Sequence, residues 1–288
     1  MNEKNIKPVL PHLAQRVLLF SEFMQKKKNT LFHKALSILA TLVFIPWVIS
    51  IVLLVIFNDL VFGRYRGWNY NYLIFKQAFR FTFFWSGIRP VTFFETPHNR
   101  KQKYIFVLNH ISYLDIPVMI LGIRQPMRIL AKKGPHKVPF FGYYYRKSTV
   151  MVDRTSLISR SKSVEALKHY LEKGISIVIF PEGTFNMEHQ PLKSFYDGAF
   201  RIAIETQTNI KPIIMVDTYE RFYYHGLSLE PGKCRVVYLE EVSVQGLTLN
   251  DVESLKTKVY RQMEDALQRY QATWIGNDKG NGGNAIAV

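Results

Sequence analysis

From residue 100 to residue 270 short apolar runs alternate with amphipathic stretches, and this alternation confines the chain to an α/β architecture. The apolar runs predict strands at 104–108, 127–131, 149–152, 175–180, 210–216 and 235–239, and the stretches between them predict helices at 116–122, 159–172, 198–206 and 251–270. Val164, Leu167, Lys168 and Leu171 recur at helical spacing, and Gly174 follows as the C-cap. For the terminal helix, Asn250 with Glu253 has the form of a capping pattern, and Val252, Leu255, Val259, Met263 and Leu267 make one apolar stripe. The expected fold is α/β, a mixed sheet flanked by helices, preceded by a hydrophobic, membrane-associating helical segment. The expected organisation is an N-terminal membrane-associating helical region at 1–95, an α/β domain at 96–275 and a Gly/Asn-rich disordered tail at 276–288.

The N-terminal region is set apart by 23 consecutive residues without a charge, 35–57. As a helix this run reaches roughly 34 Å, enough for a hydrocarbon core of about 30 Å. Pro46, near its middle, removes a backbone hydrogen bond, so a span, a hairpin dipping into one leaflet and a kinked core helix all stay open. The following apolar stretch, 79–88, is too short to cross and carries Arg80, which reads as an interfacial helix or a buried element. The run starts too late and is too long for a removable signal peptide. Flanking cations, Lys26, Lys27, Lys28 and Lys34 against Arg64 and Arg66, mildly favour a cytoplasmic N-terminus.

Charge and cysteine content narrow the partners. Lys and Arg total 38 against 22 Asp and Glu, a net +16, which favours anionic partners: a phospholipid surface, a phosphorylated substrate, an acidic carrier or nucleic acid. A nucleic-acid binder, or any non-catalytic basic membrane binder, leaves the motifs below unexplained, and no nucleic-acid partner is expected. The single cysteine, Cys234, excludes an internal disulfide and argues against a sulfur-based zinc site, and its alternating surroundings predict a buried structural thiol.

Chemistry begins at Asn109-His110-Ile-Ser-Tyr-Leu-Asp115, directly after the 104–108 strand, where open α/β sheets place ligands. Five residues of regular helix turn through about 500°, so His110 and Asp115 can meet only if His110 lies in the turn before a helix that Asp115 opens. Ser112 with Asp115 and the early Pro117 both favour that geometry. Asp115 would then fix the tautomer of His110 and leave its other nitrogen as a base. Phe180-Pro-Glu-Gly-Thr184 ends another strand; Glu182 and Thr184 offer an acceptor and a hydroxyl, and Gly183 permits close backbone approach. Met151-Val-Asp-Arg154 ends a third, with a guanidinium suited to phosphate.

In this order and spacing the pieces resemble the PlsC-like 1-acylglycerol-3-phosphate (lysophospholipid) acyltransferases. Asn109-His110-x4-Asp115 matches that family's first block, Met151–Arg154 its second and Phe180–Thr184 its third; Ala131-Lys132-Lys133, Pro139-Phe-Phe-Gly142 and Asp197-Gly-Ala-Phe-Arg201 are also similar, over about 80–245. The resemblance implies a membrane-bound acyltransferase with His110 as base and Asp115 as its orienter. Asn109, Lys132, Arg154, Glu182, Gly183 and Thr184 would be substrate-binding. The acyl donor would be acyl-CoA or an acyl carrier protein, the acceptor 1-acylglycerol-3-phosphate. No metal or bound cofactor is implied, and the expected location is a bacterial inner membrane, with the active site on the cytoplasmic side. Either donor is anionic and would suit Arg124, Arg128, Lys132, Lys133, Lys137, Arg146 and Lys147. Two departures stand out: the family usually places Arg directly after the Gly-Thr of its third block, where this chain has Phe185, and the fourth-block strand reads Lys211-Pro-Ile-Ile-Met-Val216. Loss of that Arg opens the alternative of another lysolipid, such as a lyso-aminolipid.

Overall fold

The chain was analysed as a computed structural model that describes residues 46, 47, 49–62, 71–137, 141–153, 155–188, 190–223 and 228–275. Most of the uncharged run (35–45 and residue 48), Arg154 and the 276–288 tail lie outside the described residues. Among the described residues no helix is long and apolar enough to cross a membrane.

Among the described residues nine strands follow in chain order: β1 (Ile88–Phe94), β2 (Ile105–Leu108), β3 (Met127–Lys132), β4 (Thr149–Val152), β5 (Ser176–Ile179), β6 (Ile210–Met215), β7 (Phe222–Tyr223), β8 (Ser228–Leu229) and β9 (Gly232–Tyr238). Seven form one sheet in the order β1-β9-β6-β2-β5-β3-β4, while β7 and β8 pair separately. From β6 to β4 every pairing is parallel; β9 joins β6 antiparallel, and β1 runs parallel to β9. The carboxyl ends of β2 to β6 and the amino ends of β1 and β9 therefore share one end of the sheet.

Burial explains the parallel centre. The strands IFVL, SIVI and IKPIIM of β2, β5 and β6 are buried at every position, as strands covered by helices on both faces must be. Side chains alternate between faces. Ile105, Val107, Ile177 and Ile179 join one core with α5 (Leu157–Glu172), α6 (Gly198–Glu205) and α8 (Val252–Arg269). Phe106, Leu108 and Val178 join the other with α3 (Asp115–Gly122) and with Phe83 of α2 (71–85). The remaining helices are α1 (51–62), α4 (Phe141–Ser148) and the single turn α7 (Thr218–Arg221).

Three features depart from the sequence reading. The stretch 79–88 divides, α2 ending at residue 85 and β1 starting at Ile88, so a strand lying before the 95/96 boundary is hydrogen-bonded into the main sheet. Its Pro90 lacks a ladder donor, which an edge strand tolerates. The capping pattern ahead of α8 is Thr248 with Asp251, not Asn250 with Glu253: Thr248 N donates to Asp251 Oδ2 at 2.8 Å, and Asn250 falls inside the 3-10 turn between them. Arg128, expected among the cations suited to the anionic donor, is instead buried in β3 with its guanidinium 4.9 Å from the Tyr170 ring centroid. Gly174 does end α5, at φ +74°, and Cys234 is buried in β9, where burial pushes its thiol up to about 12.

Candidate active site

At the shared end of the sheet the loop leaving β2 carries His110, and α3 begins at Asp115. His110 Nδ1 lies 2.8 Å from Asp115 Oδ2, a contact available because the imidazole precedes the helix. The same Oδ2 accepts the backbone N–H groups of Ile111 and Ser112 at 2.7 and 2.9 Å, and Oδ1 accepts the Thr218 hydroxyl at 2.5 Å. A carboxylate taking three donors besides the ring can only accept, so Nδ1 carries the proton and Nε2 presents a lone pair. Asp115 is fully buried; the His110 side chain retains 17% of its exposure. Phe180 and Phe185 flank the imidazole, with centroids at 4.2 and 4.1 Å.

The residues around this pair divide by what their polar atoms do. Asn109 is buried and bonds both ways to the backbone of Met215, Nδ2 donating to its carbonyl at 3.1 Å and Oδ1 accepting its N–H at 2.8 Å, so it clamps β2 to β6. Glu182, 3% exposed, accepts His110 N on Oε1 at 2.8 Å and Lys193 N on Oε2 at 3.0 Å. Both oxygens are committed to backbone, and burial pushes this carboxyl up to about 7. Asn186 N closes the frame by donating to the His110 carbonyl at 2.7 Å. Gly183 sits at φ +75°, a value that favours glycine, and Thr184 is exposed with Lys193 Nζ 3.5 Å from its hydroxyl. Lys132 is exposed at the end of β3, two strands from β2.

Thr218 was missed by the sequence reading. It opens α7 just after β6, a region without a recognisable motif. Neighbouring Asp217 fixes that turn to β9, with Arg235 Nη2 at 2.6 Å from Oδ1 and Arg235 Nε at 2.9 Å from Oδ2. A small cleft beside His110 is lined by Ile111, Ser112, Tyr113, Phe185, Met187, Tyr219 and Phe222. Tyr113 packs edge-on against Phe185 at 4.7 Å, so aromatic rings form much of this wall. Among the described residues no group of His, Cys, Asp and Glu is arranged to hold a metal ion.

Residues 91–216 match the family model described as Acyltransferase, a span that includes His110, Asp115 and the 180–184 turn. An uncharacterized acyltransferase of Schizosaccharomyces pombe is 30% identical over 58% of this chain and 62% of its own length. The 1-acyl-sn-glycerol-3-phosphate acyltransferase alpha of Mus musculus is 31% identical over 61% of this chain and 62% of its own, and the Helicobacter pylori protein named 1-acyl-sn-glycerol-3-phosphate acyltransferase is 28% identical over 55% and 67%. The chain thus spans less than two thirds of the length of the first two. The crystal structure of the 1-acyl-sn-glycerophosphate (LPA) acyltransferase PlsC from Thermotoga maritima superposes with a TM-score of 0.61, covering 77% of this chain and 88% of that one at 24% identity, which is a likeness of fold.

Proposed function

We infer that this chain, whose residues 91–216 match the Acyltransferase family model, is an acyltransferase of that family and transfers a fatty acyl group from a thioester to the hydroxyl of a lysolipid at a membrane surface. The observation that carries this reading is the His110–Asp115 pair: an imidazole with its tautomer fixed by a saturated, buried carboxylate, at the end of the sheet where ligands collect. His110 Nε2 takes the proton of the acceptor hydroxyl as that oxygen attacks the thioester carbonyl. The tetrahedral oxyanion is held by backbone N–H groups near the 183–185 turn other than that of Gly183, which donates to the Phe180 carbonyl at 3.1 Å. On collapse the C–S bond breaks, the proton passes from the imidazolium to the thiolate, and an ester and a free thiol leave. No acyl-enzyme forms.

Lysophosphatidate is the acceptor named by the relatives, and acyl-CoA or an acyl carrier protein is the donor. Lys132, Arg154 and Thr184 grip the substrate, whereas Asn109 and Glu182 act through the backbones they hold. One observation favours a second acceptor: Phe185, packed on His110, puts an apolar ring where the family places a phosphate-binding Arg, and this suits a lysolipid without a phosphate monoester, such as a lyso-aminolipid. Purified protein offered lysophosphatidate, other lysophospholipids and lyso-aminolipids with each donor tests both. Transfer to none of them overturns the reading; transfer to lyso-aminolipids alone selects the second.

A further inference from the structure

A single helical turn does not hold its own shape, because fixing its backbone costs more than the one or two hydrogen bonds it closes return. α7 is such a turn, four residues long. Its first residue, Thr218, must nevertheless keep its hydroxyl 2.5 Å from Asp115 Oδ1 for the buried carboxylate to retain all its donors. The same turn also faces the substrate, since Tyr219 within it and Phe222 just after it line the cleft beside His110. What fixes the turn comes from outside it.

The β6–β9 pairing ends with Met215 opposite Val236, and directly beyond it Val216 N donates to the Arg235 carbonyl at 3.1 Å. Asp217 then receives three nitrogens of that same arginine: the backbone N–H at 2.8 Å and Nε at 2.9 Å on Oδ2, and Nη2 at 2.6 Å on Oδ1. A planar guanidinium set against both carboxylate oxygens fixes direction as well as distance. The Asp217 side chain is 7% exposed and that of Arg235 29%, so the pair is largely shielded from water. Nη1 of Arg235 donates instead to the Tyr270 carbonyl at 2.9 Å, which ties the buckle to the end of α8. At the other end of the turn Arg221 Nη1 donates to the Pro231 carbonyl at 2.7 Å, so the approach to β9 holds α7 at both ends.

We propose that Arg235 is a positioning residue for acyl transfer. Through Asp217 it sets where α7 places the Thr218 hydroxyl, Thr218 holds Asp115, and Asp115 holds the imidazole of His110. Arg235 touches none of the reacting groups, and its effect on the reaction passes through Thr218. A displacement of about 1 Å at such a remove is enough to slow the chemistry, because the base must meet the acceptor hydroxyl in a narrow range of geometry. The inference rests on the reading of His110 as the base, so its test separates the two.

The test is a double-mutant cycle on the full chain. Arg235→Gln, Thr218→Val and the double variant are compared with the unaltered protein, using the donor and acceptor that the panel above selects. Single-turnover transfer isolates the chemical step, and the KM of each substrate and the melting temperature are read beside it. The expected result is that Arg235→Gln slows transfer about fivefold with both KM values unchanged, and less than about twofold once Thr218 is Val. Unchanged transfer by Arg235→Gln, or an undiminished loss in the Thr218→Val background, overturns the proposal and leaves His110 as the base. A rise in KM at an unchanged rate does the same, since it puts the effect on the cleft wall. Thr248→Ala loosens the opposite end of α8 and should transfer at the unaltered rate; a matching loss there would make the effect one of stability and overturn the proposal. If Arg235→Gln does not fold, Asp217→Asn cuts the same pair with little change of shape and is read in both backgrounds by the same criteria. Absence of transfer by the unaltered protein to every acceptor overturns the acyl-transfer reading, and the proposal with it.

Discussion

Replacing His110 with Ala removes the imidazole and spares the loop that carries it, because that loop is held by its backbone: its N–H on Glu182 and its carbonyl on Asn186. Acyl transfer should fall about 10²–10⁴-fold while the melting temperature holds, measured by turnover beside a thermal scan. Thr218→Val keeps the shape of the side chain and strips one donor from the buried Asp115 carboxylate. It should lower kcat about tenfold with donor KM unchanged, and Thr218→Ser should restore most of the loss; a variant series in which Val and Ser behave alike would refute a role for the hydroxyl. Phe185→Arg should shift the ratio of kcat/KM for lysophosphatidate over a lyso-aminolipid about tenfold toward lysophosphatidate, because a charge-assisted bond contributes roughly 1.5–3 kcal/mol; competition between the two acceptors reads this directly. The pair His110 and Asp115 was legible in the sequence because five residues enclose it. Thr218 was not, since its partner lies 103 residues away and a lone Thr carries no pattern. Asn109 and Glu182 were recognisable as special, but composition cannot show whether a polar side chain turns toward a ligand or toward the backbone beneath it.

The strands and helices expected in the α/β region are found within a residue or two, with β9 extending three residues farther forward, because their apolar runs are bounded by turns and their burial is two-sided; the short elements α4, α7, β7 and β8 were not expected. β1 was hidden for the opposite reason. Its IRPVTFF run is half exposed, carries Arg89 and Pro90 at its second and third positions and directly follows an aromatic helix, so its period is masked. Caps are similarly local. Thr248→Ala should cost about 1 kcal/mol in urea denaturation, whereas Asn250→Ala should cost little, since the reciprocal bonds are those of Thr248 and Asp251. The 180–193 segment gives a pH-dependent prediction. Burial raises the Glu182 carboxyl from 4.5 to about 7, so the folded state holds its proton more tightly than the unfolded one. The stability it contributes is full below about 4.5 and is lost as pH climbs to 7. Glu182→Gln, whatever its absolute stability, should lack that slope, which amounts to on the order of 3 kcal/mol across the window in chemical denaturation at stepped pH.

At the scale of the molecule, apolar exposure and positive charge are separable forces. Leu53, Leu54, Phe57, Leu60 and Val61 of α1 and Phe81, Phe84 and Trp85 of α2 are all exposed, so attachment should survive high salt and yield to detergent. Release by salt alone would mean that charge, screened beyond about 8–10 Å, was the anchor. The pairing of β1 with β9 has a further consequence, one of timing. Ile88 bonds beside Gly232 and Phe94 beside Tyr238, so the outermost seam of the sheet joins segments more than a hundred residues apart. During synthesis α1, α2 and β1 leave the ribosome long before β9 exists. On the membrane-surface reading their exposed apolar residues are free to meet a bilayer while the rest of the sheet is still being made, and the late strand then closes the sheet onto a β1 that has long been waiting.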